Sequence, residues 1–400
     1  MNFEEFALWL FPDNKDRNGE LFKIFLTIIG GSGVLYSLYL SYKRMVATNL
    51  GLQLQAKAIN KQSEQLELSR DGQIDERFKN AVEHLGDEKE PIILGGIVEL
   101  HQIAKENKEK YASVVFNILT SYLRTHLKVK NKRDDNFSTT IPQTIIDFLF
   151  KNEGKNLYNN NKANLSFCNL ISIDISEADL SGADLSFCLM PYEISNTKFD
   201  FSKFGKTNFT ISKLNNVSFR NSDFHDCIFN MCEIKATNFS NSNMLKINFV
   251  NTKLFQVVFE KVEFYELKFL LCNIDNIQLT NSRLLNNCFS GSNFLNSKIL
   301  SNEITNTNFI AIGFKSTIFN SEFFQCNFIG VHKNYSFEYI QIDDIKNNID
   351  KEIDESGIIM LESNSFLNCK WEKLTLDKFN HIKEEIDLIF KKLKEKNNTK

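Results

Sequence analysis

The residues of this 400-residue chain with the widest chemical repertoire are its six histidines and eight cysteines. His84, His101 and His126 fall in one stretch of helical patterning, on separate helices and without an acidic or paired ligand spacing, so ordinary surface histidines are expected rather than a metal site. The cysteines include no CxxC pair, which argues against a zinc ribbon or a small disulfide scaffold. Cys168, Cys227, Cys232, Cys272 and Cys326 recur at one position of a repeat, where a small buried side chain is expected rather than a nucleophile. His225 stands without a Ser or Cys partner pattern. There is no P-loop, GxGxxG, HExxH or GxSxG motif. These residues nominate no catalytic, cofactor-binding or metal site and imply no cofactor. The expectation is a protein that is not an enzyme.

The elements that hold these residues are far more legible. Composition is globular, at 42% apolar and 24% charged, and a net charge of −3 excludes a broadly basic protein that coats nucleic acid. There are 37 Phe and only 4 Pro, which suits a long regular element. Every fifth residue from Ile194 to Phe319 is large and apolar, at 26 consecutive positions. The same period runs earlier in a shifted phase, through Leu165, Leu170, Ile175, Leu180, Leu185 and Met190, with one residue missing near Pro191. A second slip is expected near Phe319, after which Phe323 and Phe328 resume the rhythm.

The position two before each large residue is usually small, as at Ala163, Ala178, Ala183, Ser202, Thr207, Ser212 and Ser222. The position between is often Asn or Asp, as at Asn164, Asp179, Asn208 and Asn238. Period five fits neither a helix nor a strand. It fits a chain that turns a corner every five residues and sends one large and one small side chain inward. Asn and Asp are then expected to serve the turns. The Asn-x-Ser/Thr triplets at Asn164, Asn208 and Asn238 are by-products of this repeat.

The stretches EADLSGADLSF, KTNFTISKL and NTNF resemble the pentapeptide-repeat family and its A(D/N)LXX pattern. That resemblance implies a mainly β fold, a right-handed quadrilateral β-helix over residues 163–330, with four pentapeptides per coil. At the usual inter-strand spacing the tower would hold about eight coils and rise about 40 Å. Phe is unusually common at its centre and Ala unusually rare before it, which suggests a wider or less regular tower.

Three further regions frame the repeat. Residues 1–44 hold a tail and an uncharged run from Ile24 to Tyr42, close to the ~20 residues that cross a bilayer. Glu4, Glu5, Asp13, Asp16 and Glu20 fit a signal peptide poorly, so an uncleaved single-pass anchor is expected. Lys15, Arg17 and Lys23 precede it, and Lys43, Arg44, Lys57 and Lys61 follow. That bias and the unpaired thiols favour a cytoplasmic C-terminal part. The small residues Gly30, Gly31, Ser32 and Gly33 leave a homo-oligomer open.

Residues 45–72 read as a helical stalk ended by Asp71-Gly72, and residues 73–150 as a small α-helical region. The basic run Lys128, Lys130, Lys132 and Arg133 reads as a solvated loop. In residues 331–400, Ile382, Ile386, Ile389, Phe390 and Leu393 fall at helical spacing, as a cap for the last coil or a contact for a second subunit.

The segments ERFKNAVEHLG, ILGGIVELHQIA and IPQTIIDFLF resemble the region before the repeats in membrane-anchored bacterial members of the same family. The resemblance implies the bacterial inner membrane and little about activity. The expected function is a membrane-tethered scaffold for an unknown protein partner. The alternatives are a DNA-mimic modulator of an enzyme such as gyrase and a component of a stress or phage-defence response. A DNA mimic needs a strongly acidic rod, and nucleic acid is not the expected partner of a repeat region whose charges nearly balance.

Overall fold

The computed structural model describes residues 3–13, 15–128, 138–310, 313–319, 321–329, 365–367 and 369–372, with the single positions 380, 384, 388 and 391. The chain divides into two compact units, Met1–Arg77 and Phe78–Lys400.

The first unit is helical. Helix α1 spans Phe3–Leu10 and helix α2 spans Arg17–His84, its end reaching into the second unit. Asp71-Gly72 does not end α2 as the sequence suggested. Gly72 is exposed with open space around its Cα. A lone glycine costs a helix interior only about 1 kcal/mol, too little to break so long an element. The most apolar window of α2 has mean hydropathy 1.7, apolar enough to cross a membrane by length and composition. Large side chains along it, such as Phe25, Ile28, Leu35, Tyr36 and Tyr39, are exposed.

The second unit opens with helices α3 (Glu90–Glu106), α4 (Lys108–His126), α5 (Thr140–Phe150) and α6 (Gly154–Leu157). Pro91 opens α3. Asn107 closes it and caps α4 by accepting from the Lys110 amide at 3.1 Å. The amphipathic faces meet through Ile97, Leu100, Val115, Leu119, Ile145 and Ile146, all fully buried. Gly96 lets α3 approach the end of α2, since a Cβ there would lie 2.7 Å from the Ala81 carbonyl oxygen.

From Ala163 the chain winds into a parallel β-solenoid. Three-residue strands stack at intervals of about 20 residues, so that Phe204 pairs with Phe224, Phe264 with Leu284 and Phe269 with Phe289. They form sheets of nine, eight and seven strands, in which Asn293–Leu300 runs round a corner and serves two faces. The fold is the expected quadrilateral coil. The large residues from Leu165 to Phe309 point inward and are buried. Because four rows fill the interior, a Phe repeated every twentieth position stacks on itself. Phe209, Phe229, Phe249, Phe269, Phe289, Phe309 and Phe328 form one column, with ring centroids 4.4–5.3 Å apart.

The first slip lies where the sequence placed it. Asn169 pairs with Leu189 at a 20-residue interval, whereas Asp179 pairs with Lys198 at 19. The second differs. Ile299 pairs with Ile318, after a register shift between Leu295 and Lys298, so Ile318 and not Phe319 stands in register with the row of large residues. Both residues are large and apolar, and hydrophobicity alone cannot separate them.

The solenoid also continues past Phe328. Phe366 pairs with Phe323 and Trp371 with Phe328, so Ser365–Leu367 and Lys370–Glu372 form a further rung. Ile382, Ile386, Ile389, Phe390 and Leu393 lie outside the described residues. Asn380, Glu384, Leu388 and Lys391 are helical and exposed.

The helices close the other end. The amides of Asn169 and Asp179 donate to the carbonyls of Leu127 (2.6 Å), which caps the end of α4, and Phe150 (2.8 Å), the last residue of α5. Gln143 exchanges two bonds with the Asp174 backbone, and Lys151 pairs with the Asp174 carboxylate at 2.9 Å. An open first coil would present unpaired amides as a template for aggregation; here the helices satisfy those of Asn169, Asp174 and Asp179.

Candidate interaction surface

The positions singled out by chemistry are dispersed. His84 and His126 are exposed, and His126 stacks on Tyr122. His101 is half-buried, stacked on Phe148 at 4.6 Å, with Nδ1 3.1 Å from the Tyr158 hydroxyl. Among the described residues, no three His, Cys, Asp or Glu side chains gather around a common point. His225 sits exposed at a strand end, 3.4 Å from Asp226.

Burial pushes the His101 pKa down, helped by the Lys105 charge, against the opposing pull of Glu153. Folding therefore favours the neutral ring. Its contribution is complete above the unfolded value near 6.5 and is lost as pH falls through the depressed folded value. We expect thermal stability of the helical region to fall on acidification from pH 7 to 5. The His101→Phe variant should lose most of that slope, measured by melting at several pH values.

The five inward cysteines occupy the small position, together with Cys188. Burial raises Cys227 and Cys272 to about 12, so these thiols stay protonated and are poor nucleophiles. They are also bonded. Cys227 Sγ donates to the Phe204 carbonyl at 2.8 Å, 23 residues back.

Ser222 makes the same bond to Phe199 (2.7 Å), and its Oγ also accepts from the Ser202 amide at 3.2 Å. Ser292 bridges Phe269 and Cys272, and Asn302 does so with its amide group, donating to Leu279 and accepting from Ser282, both at 2.9 Å. One side chain thus ties a carbonyl and an amide of the preceding coil, at three residues' separation. Size alone, the property read from the sequence, missed this role. The signal was the excess of Ser, Thr, Cys and Asn over Ala.

The corners hold a second correction. The left-handed residue lies two after most of the large ones, as at Asn196 (φ 53°), Asn216 (φ 55°) and Asn241 (φ 58°). The Asn or Asp before the large residue keeps the strand and acts through its side chain. Asn164, Asp184 and Asn208 accept from the amide two residues on, at 2.9–3.1 Å.

The outer faces differ from one another. On the face of Ile228–Asn230 and its stacked strands, the outward Asn230, Val250, Leu270 and Ser290 are buried. On the face that begins at Lys203–Gly205, the corresponding row is open. Tyr265, Leu285, Phe324 and Leu367 are 37–60% exposed, and Leu245 is half-buried.

Strand alternation carries the charged row beside them: Glu263, Arg283, Glu303 and Glu322. Arg283 Nε lies 2.8 Å from Glu303, so the row remains net acidic. A shallow groove of about 330 Å³ runs between Tyr265, Leu285 and Thr305, walled by Glu263, Arg283 and Glu303. An apolar ladder with an acidic border is a surface that can bind a partner.

Coils of four five-residue sides, with paired inward residues and a left-handed corner, define a pentapeptide-repeat solenoid. The family model of pentapeptide repeats matches in eight copies over residues 161–190 and 193–230, and its interruption falls at the short coil. The match covers the first part of the solenoid, whose fold is that of pentapeptide repeats. No curated protein matches the chain in sequence.

Among solved structures, the chain is similar to HetL, a pentapeptide repeat protein involved in heterocyst differentiation regulation from the cyanobacterium Nostoc sp. strain PCC 7120. Identity is 12%, covering 53% of this chain and 91% of that one, with a TM-score of 0.23. It is also similar to a trypsin-treated QnrB1, a plasmid-mediated fluoroquinolone resistance protein, at 14% identity, 53% and 82% coverage and a TM-score of 0.30. Likenesses this loose carry no argument about partners.

Proposed function

We propose that this protein is a non-enzymatic, membrane-tethered scaffold whose solenoid docks a protein partner on the face of Tyr265 and Leu285. The observation that carries the reading is the open apolar ladder with its acidic border. Contiguous exposed apolar surface is uncommon on a soluble domain and marks interaction sites. The Glu263, Glu303 and Glu322 carboxylates suit a segment that presents apolar and basic side chains in alternation.

The apolar run from Ile24 to Tyr42 supports a single-pass anchor in a bacterial inner membrane, with the solenoid on the cytoplasmic side. Residues 73–150 would then serve as the lid of the first coil, behind the 45–72 stalk. The DNA-mimic alternative draws less support. Along another face Glu193, Lys213, Glu233 and Lys253 alternate in sign, with Lys253 3.9 Å from Glu233, which breaks up any continuous negative field.

The test is crosslinking in intact cells, followed by membrane fractionation. The native chain should be recovered in the membrane fraction with one crosslinked partner. The double variant Tyr265→Glu, Leu285→Glu should stay in the membrane, keep its circular dichroism and lose at least about 90% of that crosslink. An undiminished crosslink overturns the docking face. Recovery in the soluble fraction with inhibition of gyrase in vitro would favour the DNA mimic.

A further inference from the structure

We propose that helix α1 is an interfacial helix that lies in the headgroup layer of the bilayer, on the N-terminal side of the span. The inference rests on the membrane anchor proposed above and adds a second contact with the lipid. In α1, Phe6, Leu8, Trp9 and Leu10 are all exposed, Trp9 at 71%. Helical spacing sets Phe6, Trp9 and Leu10 on one side and Glu4 on the other, with Leu8 beside Glu4 and Glu5 flanking Trp9. Phe6 and Trp9 stack with ring centroids 6.1 Å apart, which makes a continuous aromatic plate.

An isolated helix of eight residues is not stable in water, so α1 needs an apolar phase to lie against. Its neighbour in sequence supplies the occupant. After Pro12, only a short polar stretch with Asp13, Lys15, Asp16, Arg17 and Glu20 separates α1 from the run Ile24–Tyr42. If that run crosses the bilayer, its polar preface sits at the water boundary, and α1 is tethered within a few residues of the same boundary. Trp is the side chain that most favours that depth, with an apolar body and one N–H for the wet side.

The two carboxylates lie in the first turn, favourable with the helix dipole and unfavourable with anionic headgroups. The contact should therefore be apolar in origin, insensitive to salt and no stronger on anionic lipid. That separates it from a basic amphipathic anchor.

The experiment uses the full chain in phosphatidylcholine vesicles. The chain has two tryptophans, so Trp371→Phe leaves Trp9 as the single emitter. Flotation is scored first, then quenching by lipids brominated near the headgroup or near the chain end. The expected result is co-flotation, with quenching at least about twofold stronger from the shallow bromines and unchanged by salt. Phe6→Glu with Leu10→Glu should leave flotation intact and cut that quenching by at least half. A chain that floats while Trp9 is unquenched and open to acrylamide overturns the interfacial helix alone. A chain that does not float overturns the anchor and this inference together.

Discussion

Replacing Phe249 by Asp is expected to abolish most of the folded β signal in circular dichroism. Phe249 is fully buried, stacked between Phe229 at 5.0 Å and Phe269 at 4.6 Å. Losing a ring from such a core costs about 3–5 kcal/mol. A carboxylate placed there has no basic partner and adds several kcal/mol more, even if it protonates. Each coil is stabilised only by its neighbours, so damage at this rung separates the tower into two weaker pieces. Phe249→Leu keeps an apolar side chain and should retain the signal with a lowered melting temperature. An unchanged spectrum for Phe249→Asp would show that the five-residue register is wrong.

Asn302→Leu should be the most damaging substitution that preserves size. Asn302 is 1% exposed and satisfies both the Ser282 amide and the Leu279 carbonyl. Leucine leaves both without a partner, at about 1–3 kcal/mol for each. Asn302→Ser should be far milder, because Ser292 makes the equivalent pair of bonds in another row. The check is the denaturant midpoint of each variant. A Leu variant as stable as the Ser one would show that this pairing contributes nothing.

These two residues mark where sequence reading works and where it stops. Phe249 was legible because burial of large side chains repeats with a fixed period, and a period survives any single exception. Asn302 was not, because its value lies in bonds to residues 20 and 23 positions away, which exist only once the coils stack. The same limit explains Ile318. When two adjacent residues are equally apolar, the pairing of neighbouring strands decides which of them stands in register with the row, and that is a tertiary fact. Phe366 and Trp371 were separated from the run by a long interval, although Cys369 keeps the small position between them. Gly72 misled in the opposite direction, as a local stop signal overruled by the helix on either side. The apolar ladder at Tyr265 was hidden because outward residues carry no period of their own.

The rung at Phe366 and Trp371 has a consequence for how the tower comes apart. Along the solenoid each new layer is clasped by residues about 20 positions away, but Lys370 must find Asn327 across 43. Loop closure grows with the logarithm of length, so this last clasp costs only about 0.7 kcal/mol more than the others. Among the described residues it has a neighbour on one side alone, whereas the opposite end is held by helices. Unzipping therefore has a preferred direction. Amide hydrogens should exchange first at the Trp371 end and last near Phe229, and the fraying end is the one farthest along the chain from the lid.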